Sequence, residues 1–592
     1  MRFSTLSLLA ISCNLYQISA EEATAATCSV PPYVGPKLLI HGKLTVNLAD
    51  PTDDATTGDD DISVTLSDVH GCCGVDAQDP TKFTRPLIGQ MPQMSSSQTL
   101  AVLRDAEAAW NGGSGVWPQM SLRKRLEAIE NLLRDLETNH REQMVQVLMW
   151  EIGKNRKDAE SEFDRTIAFG REVMDVVRGV DSDSSSVAGN EFGGSWQHIG
   201  STMAFVRRAA VGIVLCLGPM NYPLNETYAT LIPALLMGNV VLMKIPTVGG
   251  LVHLLTMEAF QKALPPGAMN FVSGRGRDTM PTLMGTGKID ALAFIGGSSA
   301  ADDLIRQHPH PHRLKVFLQL EAKNMGIFLS DMFQSASEEE LNQALDQALL
   351  GALSFNGQRC TALKLFFIPK GYGEFFSQKM AQRIEAMKVG LPWETVEKDI
   401  SSKATYSHVT PLPNKNRLDL MRRLINDAVS KGAKIVNKKG GEIIGGPEST
   451  LMVPAVLYPV TPDMDLYLEE QFGPIVPITE YDSLDTVVDY GQNGLYGQQV
   501  SIFVSEKETK SAASLLDRFS TVFGKININS QCGRSPDTLP FSGRRSSAMG
   551  VMSVKDALRE FSIPTVVSYK DSDVNTGIVQ EIESESLFLS PL

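Results

Sequence analysis

Val211-Gly212-Ile213-Val214-Leu215-Cys216-Leu217, followed at once by Gly218-Pro219-Met220-Asn221-Tyr222-Pro223, decides how this chain reads. The first seven residues form an apolar run of strand length, and the next six carry the Gly, Pro and Asn of a turn. A helical period over Leu224 to Met237 comes next, then a strand over Val240 to Met243 and a helix over Leu251 to Leu264. Met269 to Val272 and Leu292 to Ile295 read as further strands with a short helix between them, and Val316 to Leu320 follows. Strands separated by helices of roughly 10–15 residues predict right-handed βαβ units and a parallel, doubly wound sheet.

Upstream, Ser95 to Arg178 reads as helical. Leu122, Leu126, Ile129, Leu132, Leu133 and Leu136 recur at helical spacing behind Ser121, a natural N-cap, and Phe163, Ile167, Val173 and Met174 mark another helix. Ser182 to Gly194 is a polar linker rich in Ser and Gly. Residues 21–94 are mixed: Leu38 to Ile40 and Leu44 to Val46 suggest a short hairpin, and Asp50 to Asp61 is an acidic run expected to stay solvated. Residues 1–20 read as a secretory signal. Arg2 precedes an apolar run from Leu6 to Leu15, and Ile18-Ser19-Ala20 is a small-residue cleavage site.

Downstream the alternation loosens. Helices are expected over Glu338 to Leu353, Phe375 to Met387 and Arg417 to Lys431, with strands over Ala433 to Val436, Gln499 to Phe503 and Thr565 to Tyr569. This suits a second α/β domain. There are no internal repeats.

The chain has 592 residues, 43% of them hydrophobic and 21% charged, which gives ample length for two or more domains. Its net charge of −14 argues against nucleic acid or an anionic membrane as partner, so an anionic small substrate would need locally placed cations. Seven cysteines are few for this length and show neither metal-ligand spacing nor a disulfide framework. That usage reads as intracellular and pulls against the signal. Delivery through the secretory pathway and onward into an organelle, such as a plastid, reconciles the two; the alternative is a cytoplasmic protein.

Ligands bind an open α/β sheet where strands end and loops cross over. The second strand ends in Lys244-Ile245-Pro246-Thr247, where a lysine can reach ribose or phosphate oxygens. An acid at Thr247 would hold a ribose 2′-hydroxyl and repel a 2′-phosphate, whereas a hydroxyl tolerates that phosphate. A later strand ends in Phe294-Ile295-Gly296-Gly297-Ser298, which lets a flat ring or a pyrophosphate approach the backbone. There is no G-x-G-x-x-G, and each turn alone is commonplace, but three on one sheet point to a dinucleotide. Farther on, Ser354-Phe355-Asn356-Gly357-Gln358-Arg359-Cys360-Thr361-Ala362 sets a cysteine behind an arginine, among small residues, after a helix and a Gly-containing turn. That is a setting in which a thiol can act as nucleophile, although an isolated Cys is more often a small buried hydrophobe.

These stretches, in this order, resemble the aldehyde dehydrogenase superfamily from about residue 95 to 570. Glu469-Glu470-Gln471-Phe472-Gly473-Pro474 and Arg534-Ser535-Pro536-Asp537 to Pro540-Phe541 add to the likeness. Within the superfamily the likeness is greatest to the non-phosphorylating, NADP-dependent glyceraldehyde-3-phosphate dehydrogenase branch. The resemblance implies an α/β fold with a Rossmann-type parallel-sheet cofactor domain (95–318, with a linker or oligomerisation segment near 180–207). It also implies an α/β catalytic domain (319–535), a return to the cofactor domain with an oligomerisation strand (536–575) and a polar tail (576–592). It implies NADP as cofactor, a small phosphorylated aldehyde as substrate, no metal, and a homodimer or homotetramer without a membrane span.

By the same resemblance, Cys360 attacks the aldehyde and Asn221 holds the oxyanion. Lys244, Pro246, Thr247, Gly296, Gly297, Glu470 and Phe472 bind the cofactor, and Arg165, Tyr222, Arg359 and Arg534 bind the substrate phosphate. The sequence departs from the family at Gln319-Leu320-Glu321-Ala322-Lys323, where the family has Glu-Leu-Gly-Gly-Lys. Its glutamate is the general base for hydrolysis, and the amide of Gln319 cannot take up a proton. If the segment is a strand, Glu321 shares a face with Gln319 and is the candidate substitute. Phe294-Ile295-Gly296-Gly297 likewise lacks two hydroxyls of the family's Phe-Thr-Gly-Ser. A catalytically impaired nucleotide-binding homologue and an enzyme that oxidises another small aldehyde are the competing readings.

Overall fold

The run that opens the alternation is the strand Ile213–Leu217, and it lies in the interior of a six-stranded sheet. The sheet runs Met269–Val272, Val240–Lys244, Ile213–Leu217, Ala291–Ile295, Lys315–Gln319 and Ala548–Met549; only the last strand is antiparallel. Strand order therefore reverses direction between Ile213–Leu217 and Ala291–Ile295, which opens a crevice at their C-terminal ends. This is a computed structural model; it describes residues 29–46, 48–49, 62–179, 191–396 and 405–590. The signal sequence at 1–20, the acidic run at 50–61 and most of the polar linker lie outside the described residues.

Helices cover both faces because the strands are apolar on both sides. Asn225–Leu236 and Leu251–Ala263 pack with Leu122–Asp135, Arg141–Ile152 and Arg156–Arg178, whereas Ser96–Trp110 packs with Gly276–Met284. Ser121 accepts from the Lys124 N–H at 3.4 Å, which makes it the N-cap that its position predicts. The second sheet has seven strands, Lys434–Ile435, Ala455–Tyr458, Ile475–Tyr481, Leu363–Pro369, Asn324–Phe328, Gln499–Phe503 and Lys525–Ile528, parallel apart from the first. Residues 320–323 cross from the first sheet to the second, so Gln319 is the last residue of one and Asn324 the first of the other.

Ser195–Ile199, Thr202–Ala210 and Ser562–Lys570 form a separate antiparallel sheet, in which Thr202 pairs with Lys570 and Ala210 with Ser562. The described part of 21–94 is no loose extension. Leu38–Ile40 pairs with Lys43–Thr45, and Thr65–His70 with Leu87–Gln93. Val34, Leu39, Cys72, Ile88 and Met91 are buried in the core cluster that contains Trp150. The segment also reaches the second domain, where the Phe83 N–H donates to Gly445 O at 2.8 Å. The residues read as a polar tail form, in their first part, the helix Asp573–Glu585, capped by Ser572; its apolar Val574, Ile578 and Ile582 stand exposed. No helix among the described residues is long and apolar enough to cross a membrane, and none of their His, Cys, Asp or Glu groups could hold a metal ion.

Candidate active site

A cleft of about 700 Å³ runs between the C-terminal ends of the first sheet's strands and the N-terminal ends of the second sheet's, and Cys360 lines it. Cys360 follows the helix Glu338–Leu353 through a tight turn, Ser354–Gly357, in which Phe355 (φ +49°), Asn356 (φ +57°) and Gly357 (φ +70°) are all left-handed. Only glycine takes that conformation freely, so the turn stores about 1–3 kcal/mol at Phe355. Its hold is the pair Asn356–Thr410: Asn356 Nδ2 donates to Thr410 O at 3.0 Å, and the Thr410 N–H donates to Asn356 Oδ1 at 2.9 Å. Asn324 Nδ2 then donates to Cys360 O at 2.7 Å and to Ala362 O at 3.0 Å, which fixes the loop to the second sheet.

The thiol is half-buried. Desolvation first, then the charge of Glu226, pushes it up to about 11, against an opposing pull from Lys364. It therefore rests protonated at neutral pH and needs a proton acceptor before it can attack. Across the cleft, Asn221 Nδ2 donates to Gln358 O at 2.8 Å. An amide nitrogen carries two protons, so one remains for an oxygen bound in the cleft.

Gln319 also lines the cleft; it is 2% exposed, and neither amide atom finds a partner among protein atoms. Glu321 does not stand beside it as strand alternation would require, because the strand ends at Gln319. Instead its Oε2 accepts from Ser298 N at 3.1 Å and from Ser298 Oγ at 2.6 Å, which caps the helix Ser298–Gln307. A Cβ on Gly297 would sit 3.1 Å from Glu321 Oε1, so the missing side chain is what lets an anion settle there.

The expected cofactor residues fall in two places. Gly296, Gly297, Glu470 and Phe472 line the cleft, whereas Lys244, Pro246 and Thr247 stand two strands farther along the same sheet edge. Lys244 is buried, donates to Ile245 O and is pushed down to about 8 by desolvation, while Thr247 is exposed. Glu470 Oε1 accepts from Lys364 Nζ at 2.6 Å and from Ala322 N at 3.2 Å. The Phe472 ring carries Lys364 Nζ 4.6 Å from its centroid and Arg417 Cζ at 5.3 Å, two cation–π contacts that fix its plane.

At the other end the cleft gathers the four residues expected to meet a phosphate. Arg165 grips Asp537 with two bonds of 2.8 and 2.6 Å, and Arg534 Nε meets the same carboxylate at 2.9 Å. Arg534 Nη1 lies 2.9 Å from Glu226 Oε2. Arg359 Nη2 donates to Leu350 O at 3.2 Å and Gly351 O at 3.0 Å. The Tyr222 ring lies 3.3 Å from Lys154 Nζ, and burial pushes its hydroxyl up.

Sequence reasoning missed Lys154, Glu162 and Glu226. Lys154 is fully buried, paired to Glu162, whose other oxygen accepts from Leu224 N at 2.9 Å and Asn225 N at 3.3 Å. That pair seats Tyr222 and the start of the helix bearing Glu226. No sequence signal separates such a pair from a solvated helix face. Glu226 reads as an ordinary acid in a first helical turn.

Known proteins share this architecture. The chain is 29% identical over 493 residues to the NADP-dependent glyceraldehyde-3-phosphate dehydrogenase of Streptococcus equinus, covering 82% of this chain and 92% of that protein. It is 26% identical over 448 residues to the Pisum sativum enzyme of the same name, covering 75% of this chain and 82% of that one. The crystal structure of NADP-dependent glyceraldehyde-3-phosphate dehydrogenase from Bacillus halodurans C-125 complexed with NADP superposes with a TM-score of 0.74 at 24% identity. It covers 91% of this chain and 100% of that one, and at that identity it attests the fold. The model of the aldehyde dehydrogenase family matches residues 74–567, and with most of its length so matched the chain belongs to that family.

Proposed function

We propose that the protein oxidises glyceraldehyde 3-phosphate to 3-phosphoglycerate with NADP, through a thiohemiacetal and then a thioester on Cys360. The observation that carries this reading is one cleft holding Cys360 and Asn221 with Arg165, Arg359 and Arg534, three cations gathered in a protein of net charge −14. The relatives of that name in Streptococcus equinus and Pisum sativum support it.

Cys360 Sγ adds to the aldehyde carbon, and the developing oxyanion accepts from Asn221 Nδ2 and the Cys360 backbone N–H. NADP, when bound, takes the hydride. The residues present fit that cofactor. The start of the helix Ser298–Gln307 already holds an anion, Glu321, against a turn whose Gly297 lacks a Cβ. Lys244 and Glu470 supply a cation and a carboxylate for ribose oxygens, and Thr247 leaves room for a 2′-phosphate. Arginine forks match the oxygens of the substrate phosphate.

A second reading, oxidation of a small unphosphorylated aldehyde, draws on Glu226, which occupies one edge of Arg534. Arg534→Gln separates the two. It should raise KM for glyceraldehyde 3-phosphate by about 10-fold or more and leave KM for glyceraldehyde within about twofold. Equal effects on both substrates would assign Arg534 to the fold and favour the second reading.

The outer strand Ser562–Lys570, with Ile563 and Val566 exposed, is an open sheet edge suited to pairing with a second copy of the chain. Residues 1–20 supply the address in this reading: a signal peptide, with onward delivery to an organelle such as a plastid. A fluorescent protein fused behind residues 1–28 that stayed in the cytoplasm would refute it.

A further inference from the structure

Thioester hydrolysis, in the reading above, needs a proton acceptor beside Cys360, and the amide of Gln319 is none. Four carboxylates line the cleft among the described residues: Glu226, Glu321, Glu469 and Glu470. Three of them have duties that a proton would undo. Glu469 holds the Arg423 guanidinium at 2.5 and 2.7 Å. Glu470 neutralises the buried Lys364, and protonating it would leave an uncompensated charge in the interior. Glu321 caps the helix Ser298–Gln307.

Glu226 differs. Its ion pair is with Arg534, which keeps a second carboxylate, Asp537, at 2.9 Å when Glu226 takes a proton. It stands in the first turn of the helix Asn225–Leu236, just after the turn that carries Asn221, so it is placed by the same unit as the oxyanion donor. Arg165 and Lys154 are the other charged groups whose fields it shares. Of all charged side chains, it acts most strongly on the Cys360 thiol.

We infer that Glu226 is the proton acceptor for hydrolysis, in the place that Gln319 cannot fill. Water oxygen adds to the acyl carbon while Glu226 takes one water proton. The C–S bond then breaks, and sulfur leaves with its electron pair as the Cys360 thiolate. The product is a carboxylic acid, which ionises; one of the two protons returns to sulfur and the other passes to solvent. A substrate phosphate that binds Arg534 draws that guanidinium away from Glu226, so an anionic substrate frees its own base.

The inference rests on the proposed reaction, and its test has an arm that does not. Glu226→Gln, which keeps the shape, should give an NADPH burst near one per active site, followed by a steady rate lower by about 10²–10⁴-fold. In Glu226→Ala, added formate should restore part of the steady rate. Without substrate, iodoacetamide should alkylate Cys360 faster in Glu226→Gln than in wild type at the same pH, because a negative charge in the cleft that raises the thiol is gone. Burst-free turnover at the wild-type rate in Glu226→Gln overturns the inference, as does unchanged alkylation. A wild-type protein that makes no NADPH from any aldehyde overturns the reading of the reaction, and the alkylation comparison still decides whether Glu226 faces the thiol. Should Glu226→Ala not fold, as judged by thermal melting, Glu226→Gln carries the test.

Discussion

In the proposed reaction Cys360 is a nucleophile kept in reserve. With the thiol pushed from 9.0 up to about 11 by burial and by Glu226, the free protein holds roughly a hundredfold less thiolate at neutral pH than an ordinary cysteine would. Its reaction with iodoacetamide should therefore climb about tenfold per pH unit from pH 7 to pH 10 without a plateau, as followed by mass spectrometry of the peptide carrying Cys360. A plateau below pH 9 would contradict this account. The motif around Cys360 was legible in the sequence because glycine, asparagine and a preceding arginine mark the loop. The partners of each arginine were not. That Arg165 meets Asp537, 372 positions away, follows from the fold and from no local pattern. Glu321 shows the reverse: its proximity to Gln319 in sequence suggested a base, and the end of the strand turned it into a helix cap.

Helix and strand ends carry the site, and buried charges hold those ends. Glu151 lies in the interior, where Oε1 accepts from Gly250 N at 2.8 Å and Oε2 from Leu251 N at 3.1 Å at the start of the helix after Lys244–Thr247. Desolvation raises its carboxyl from 4.5 to about 7 in spite of those bonds. Between these values the native state holds a proton that the unfolded chain has released, so stability falls as pH rises, by about 3 kcal/mol over the window. Glu151→Gln should remove that slope: the melting temperature of the wild type relative to the variant should drop from pH 4.5 to pH 7. A constant difference across the window would refute it. The apolar strands of the first sheet and the capped helices were legible because both have short periods. Thr202–Ala210 and Ser195–Ile199 were not, because the first pairs with Ser562–Lys570, far along the chain, the second pairs with the first, and most of their residues are at best partly buried.

The whole molecule brings the C-terminal ends of the first sheet's strands and the N-terminal ends of the second's to one cleft, and the described N-terminal residues clamp both sheets. Trp150 stacks on Trp393 at 4.5 Å, and Cys72 N donates to Trp150 O at 2.7 Å; these contacts tie residues of the N-terminal region and the first helical layer to the second domain. The mixed composition of 29–95 gave no sign of this, since small strands spaced by polar turns look alike whether docked or solvated. Net charge and length bounded the partners from the start, and the parallel order of the first sheet followed from its alternation.

The central claim is that this cleft oxidises glyceraldehyde 3-phosphate with NADP through Cys360. The direct measurement is NADPH absorbance after adding glyceraldehyde 3-phosphate and NADP to the purified full chain in buffer free of inorganic phosphate, beside Cys360→Ser. The account predicts NADPH formation by the wild type and none above background by a folded Cys360→Ser protein. Equal NADPH formation by both proteins, or none by the wild type, would contradict it.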